Sequence, residues 1–145
     1  GASHYAGSPT TIDQTVLCPN FDVGTSSTFV SLGTGTTNYG AIGINATNDR
    51  PQTDGANGGA QWDFSGASGD VAAGAPHSMR DTWLTNDIEG FYDTVSFGTD
   101  VAAALPTVAS SFVYIGTRGS TAQQSGCLLT SLRVWPRDVS VAEAP

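Results

Sequence analysis

Lysine is absent from this chain. Its five cationic side chains are Arg50, Arg80, Arg118, Arg133 and Arg137, set against thirteen aspartates and glutamates, for a net charge of −8. Nucleic-acid binding needs a basic surface to neutralise phosphates, so this balance argues against that class of partner. Glutamate is nearly as scarce, with Glu89 and Glu143 alone. A glycosidase needs two carboxylates flanking the scissile bond, and Glu143 suits a helix cap better, since Ser140-Val141-Ala142-Glu143 reads as a capping box. Asp87 and Glu89 would share one face of a strand, yet solvated charges on an outer strand need no catalytic role. The Gly-x-Ser-x-Gly elbow of many serine hydrolases is missing. No apolar run approaches the length of a membrane span, and the first residues lack a signal peptide's apolar core, so membrane insertion is not expected. The two cysteines, Cys18 and Cys127, are too far apart for a metal-ligand or redox spacing. Two readings of them stay open, a pair of separate buried thiols or one long-range bridge.

What the chain does have is glycine, threonine, serine and alanine in abundance, with three Trp and six Phe available to bury. That mixture suits an all-β protein with many turns, and 145 residues suit one domain. Residues 1–13 read as a polar leading segment or linker, and 14–145 as the domain. Gln14–Cys18 alternates like a strand. Thr28–Leu32 and Tyr39–Asn45 form a hairpin about the Gly33–Asn38 turn, with Val30 and Leu32 on one face and Ile42 and Ile44 on one face. The stretch 46–59 is dense in turn signals (Asn-Asp, Arg-Pro, Asp-Gly, Asn-Gly) and reads as an irregular loop. Short strands are expected at Ala60–Phe64, Ser78–Leu84, Ile88–Tyr92 and Val95–Thr99. At Asp93-Thr94 a tight primed turn is in doubt, because threonine resists positive φ. Phe112-Val113-Tyr114-Ile115 reads as a strand buried on both faces or nearly so. Leu128–Trp135 is the last strand, ended by Pro136.

About ten short strands with turns every 8 to 12 residues predict a two-sheet antiparallel β-sandwich with at most one or two short helical turns. Val30, Leu32, Ile42, Ile44, Trp62, Ile88, Tyr92, Phe112, Tyr114, Leu132 and Val134 are its expected core, and Trp83 falls within a strand as well.

The Tyr114-Ile115-Gly116 strand end, the run Leu132-Arg133-Val134-Trp135-Pro136-Arg137 and the Val139-Ser140-x-Ala142-Glu143 tail carry a resemblance. Together with the Val30-to-Ile44 hairpin and His77–Thr94, they resemble the concanavalin A-like, laminin G-like jelly-roll domains of bacteriophage tail fibres and head spikes. Val134 and Asp138 stand where that family often has an aromatic and an arginine. The resemblance implies a jelly roll, display on a virion surface, host cell-surface polysaccharide and other virion chains as partners, and a homo-oligomer, trimeric as fibres and spikes usually are. It also implies that the first and last strands lie side by side, which favours the Cys18–Cys127 bridge.

A glycan site needs an aromatic platform and planar hydrogen-bonding groups. The loops are expected to supply them, with Asn48, Asp49, Arg50, Asn57, Arg118, Gln123 and Gln124 as the site residues and Tyr39, Asn38 and Gln52 nearby. Calcium is the cofactor that the oxygen-rich loops would suit, with Asp49 and Asp54 as candidate ligands, although no EF-hand spacing is present.

Overall fold

The computed structural model describes residues 10–17, 27–45, 50–67, 74–106, 112–116 and 127–135. Ten strands run through them: β1 (Thr10–Leu17), β2 (Ser27–Gly33), β3 (Asn38–Asn45), β4 (Arg50–Asn57), β5 (Ala60–Ser65), β6 (Pro76–Leu84), β7 (Asp87–Tyr92), β8 (Val95–Asp100), β9 (Phe112–Ile115) and β10 (Leu128–Trp135). They form two antiparallel five-stranded sheets, ordered β10-β1-β6-β7-β8 and β5-β4-β3-β2-β9. β3 lies across β6, β4 across β7 and β5 across β8, which makes the sandwich. None of the described residues is helical; the capping box at 140–143 lies outside them.

The first strand starts earlier than its sequence suggests. Thr10, Thr11 and Ile12, in the stretch read as a leading segment, belong to β1 and are fully buried. Threonine is β-branched and fits a pleated surface, so polar composition concealed a strand here. The larger correction concerns 46–59. Residues 46–49 lie outside the described set, but Arg50–Asn57 is strand β4, paired along its length with β3 on one side and with β5 on the other. Its turn-forming residues are there for packing. The Trp62 ring lies so close over Gly55 that a Cβ there would overlap it. Trp83, from the facing sheet, covers Gly40 in the same way, with a Cβ placed 2.6 Å from its ring. The two indoles meet at 5.9 Å between centroids, tilted by 54°. Gly55→Ala is therefore expected to cost about 1 to 3 kcal/mol in a urea melt. A loss below about 0.5 kcal/mol would mean that the Trp62 ring moves aside freely.

Val30, Leu32, Ile42, Ile44, Trp62 and Ile88 are buried as expected, joined by Ile12, Val16, Phe29, Met79 and Trp83. Phe29 is the extra residue of a bulge between Thr28 and Val30, which frees its ring for the core. Tyr92, Leu132 and Val134 pack against this core while only partly buried. β9 departs from expectation. It is the edge strand of its sheet, and Val113 and Ile115 are 44 % and 59 % exposed. Its phase is also reversed, because Val113 and Ile115 pair with Leu32 and Val30, while Tyr114 pairs with Ser31 on the other face. Four apolar residues in a row carry no alternation from which that phase could be read. The Phe112 side chain lies outside the described residues.

Asp93 and Thr94 have φ of 46° and 71°, so the primed turn forms despite its threonine. Asp93 holds it in place. Its backbone N–H donates to Ser78 O (2.9 Å), its Oδ1 accepts from Ser78 N (2.9 Å), and its Oδ2 lies 2.8 Å from His77 Nδ1. His77, stacked on Tyr92 at 5.0 Å, is thus part of a clamp between β6 and the β7–β8 turn.

β1 pairs with β10 from Thr11–Trp135 to Leu17–Leu128, so the first and last strands are neighbours. Cys127 is disulfide-bonded, which leaves the separate-thiol reading behind; Cys18, the only other cysteine, lies outside the described residues.

Candidate functional site

The outer face of the β5-β4-β3-β2-β9 sheet is the candidate site. On β4, residues of one parity (Pro51, Thr53, Gly55) face the core, which turns Arg50, Gln52, Asp54 and Ala56 outward. On β3 the outward set is Tyr39, Ala41, Gly43 and Asn45, and on β5 it includes Asp63. One cross-strand row therefore reads Tyr114, Ser31, Ala41, Asp54, Asp63 from β9 to β5. Its centre is small and low: Ser31, Ala41 and Gly43 are buried, and Ala41 packs with Tyr39 and Ala56 in a second apolar cluster apart from the main core. Polar side chains rise at the β4–β5 side and an aromatic one at the β9 side. With strands spaced about 4.8 Å apart, this is a trough roughly 14 Å from Tyr114 to Asp54.

Hydrogen bonds hold the polar wall. Tyr39 donates its hydroxyl to Asp54 Oδ2 at 2.6 Å, and Gln52 donates its amide to Asp63 Oδ1 at 2.6 Å. Asp54 and Asp63 are directly opposite in register, a pairing of like charges that is unfavourable by itself. A neutral donor on each carboxylate spreads that charge. Arg50 stands at the open end of the wall, opposite Asn45, and its buried Nε has no hydrogen-bond partner. A phenol, two carboxylates, an amide and a guanidinium thus line this face, with the buried Tyr39 packed across Ala41 and Ala56. Such a set suits a flat ligand dense in hydroxyl groups.

Of the site residues expected from sequence, Arg50 lies here, on a strand and not on a loop. Gln52 and Tyr39 lie here too. Asn57 does not join them. It falls on the opposite parity and donates its Nδ2 to Leu105 O at 3.3 Å, tying the 101–106 segment to the sandwich end. Asn48, Asp49, Arg118, Gln123 and Gln124 lie outside the described residues. So does half of the calcium set, Asp49, while Asp54 is engaged with Tyr39. Among the described residues no group of three or more His, Cys, Asp and Glu side chains converges on one point. Asp63 and Tyr114 join this face without having been expected there from sequence. Their signal was parity, and it became legible only once β4 and β9 were in register.

Known structures share this architecture. The carbohydrate-binding module CBM40 of the Ruminococcus gnavus IT-sialidase, solved with α2,3-sialyllactose bound, matches with TM-score 0.79 over 95 % of this chain and 80 % of that one, at 14 % identity. Caenorhabditis elegans galectin LEC-6 matches with TM-score 0.62 over 92 % of this chain and 86 % of that one, at 11 % identity. Domains LG4-5 of the mouse laminin α1 chain match with TM-score 0.63 over 94 % of this chain and 40 % of that one, at 11 % identity. At these identities the likeness establishes the fold alone, a two-sheet jelly-roll β-sandwich. Sequence comparison finds no matching family model and no matching curated protein.

Proposed function

We propose that this chain is a non-enzymatic carbohydrate-binding module that holds a glycan in the trough on the outer face of β3, β4 and β5. The observation that carries the reading is the trough itself. Arg50, Gln52, Asp54 and Asp63 stand in a polar row beside Tyr39, which packs with Ala41 and Ala56, and Tyr114 stands across the sheet on β9. Aromatic rings take the C–H faces of a sugar, and the carboxylates and guanidinium take its hydroxyls. The fold shared with carbohydrate-binding modules and galectins supports it. The sequence resemblance extends the proposal to a module on a virion surface, borne by a trimeric tail fibre or head spike and adsorbing the particle to host polysaccharide.

A glycan array on the purified domain should show retained ligands, and isothermal titration of the best one should weaken about tenfold or more in Arg50→Ala, the loss of one charge-assisted hydrogen bond. Asp63→Ala should weaken binding as well, with thermal melts as the folding control. An empty array, or unchanged affinity in both variants, would overturn the placement. A second reading, a structural module docked on other virion chains, draws on the exposed Val113, Ile115 and Leu128. It is favoured if the array is empty and the domain instead co-assembles with those chains.

A further inference from the structure

At the β5–β8 side of the sandwich, a cleft of about 590 Å³ opens between the two sheets. Among the described residues it is lined by Ser65, Gly66 and Ala67 after β5, and by Tyr92, Asp93, Val95, Ser96 and Phe97 around the β7–β8 turn. Two aromatic rings line it, and both are fixed from behind. Tyr92 is stacked on His77 at 5.0 Å, and Phe97 packs on Phe64 at 5.9 Å. Phe97 is the bulge residue of β8, and its ring sits over Gly90, where a Cβ would overlap it. Among the described lining residues the one charged group is the carboxylate of Asp93, which also accepts from Ser78 N and lies 2.8 Å from His77 Nδ1. The serines add hydroxyls, and the chain as a whole carries −8.

We propose that this cleft is a second binding site, for an organic ammonium ion. An aromatic face attracts a cation through its quadrupole, most strongly when the cation is partly desolvated. A carboxylate at the rim of a cleft lined by low-dielectric rings adds a field of the same sign, and the cleft size suits a small ligand. An acidic ligand meets only repulsion there. A neutral one gains the apolar contact without the electrostatic part. The cleft and the glycan trough share no residue, and they adjoin where Ser65 pairs with Gln52.

The probe is choline, compared by titration calorimetry and amide chemical shifts with 3,3-dimethylbutan-1-ol, its neutral isostere. Choline is expected to bind about tenfold or more tightly than the alcohol, with shifts centred on Tyr92, Asp93 and Phe97. Truncating Tyr92 risks the His77 clamp, so the decisive variant is Val95→Lys. Val95 is 69 % exposed and lines the cleft, so a lysine there adds a repelling charge without disturbing the core. Its affinity for choline should fall about tenfold or more while its melting temperature stays unchanged. Equal binding of the alcohol, absence of shifts at these residues, or unaltered affinity in folded Val95→Lys would each overturn the proposal.

Discussion

Cys127→Ser is expected to lower stability by about 4 to 5 kcal/mol, the entropy of opening a closed loop of roughly a hundred residues in the unfolded chain. Cys127 is disulfide-bonded and only one other cysteine, Cys18, exists to close the loop. The native backbone does not need the bond to find its register, because β1 and β10 are already paired as far as Leu17 and Leu128. Removing it should therefore leave the folded sheet intact and act through a more expanded denatured state. Urea melts should show an earlier midpoint with a larger m value, since more surface is exposed on unfolding. A strong reductant should reproduce the shift in the unmodified protein. A change below about 1 kcal/mol on reduction would refute a stabilising role.

The second large effect concerns pH. Asp81 is fully buried on β6. Burial pushes its carboxyl well above the usual range, opposed by the neighbouring Thr53 and Trp83 side chains and reinforced by the Asp54 charge. Trp83 Nε1 donates to Oδ2 at 3.2 Å, while Oδ1 has no hydrogen-bond partner. The folded chain thus holds this proton more tightly than the unfolded chain does. The stability it contributes is fully present below the unfolded value, near 4, and is lost as pH rises through the raised folded value. The slope from one such group reaches at most about 1.4 kcal/mol per pH unit. Asp81→Asn keeps the shape and cannot ionise, so the difference in stability between it and the parent should grow in favour of the variant as pH rises from 4. Parallel stability–pH curves for the two proteins would show that the carboxyl is not desolvated in the fold.

The sandwich was legible in the sequence where burial is one-sided. Val30, Leu32, Ile42 and Ile44 alternate with small or polar residues, and their hairpin forms where the alternation places it. β4 was not legible, because RPQTDGAN serves packing with the same residue types that make turns. Gly55 is needed under an indole, and Asp54 and Gln52 are needed on an outer face. The site followed from that error. Arg50, expected on a loop, lies on a strand, and Asp63 and Tyr114 share its sheet face through a parity that depends on strand register. The primed turn breaks a local rule and forms anyway, since Asp93 bonds to Ser78 and His77, which lie outside the turn. Tertiary contacts of this kind have no local signature.

The pairing of β1 with β10 sets how the domain answers a pulling force. The start of one strand lies beside the end of the other, at Thr11 and Trp135. Tension applied through those two points acts along the cross-strand hydrogen bonds and loads them one after another, as in a zipper and not in shear. The seam would open at low force from Thr11–Trp135 toward Leu17–Leu128. There it would meet the covalent bond at Cys127, a stop that keeps the edge strand β10 tethered while β1, paired along its length with β6, carries the load on into the sheet.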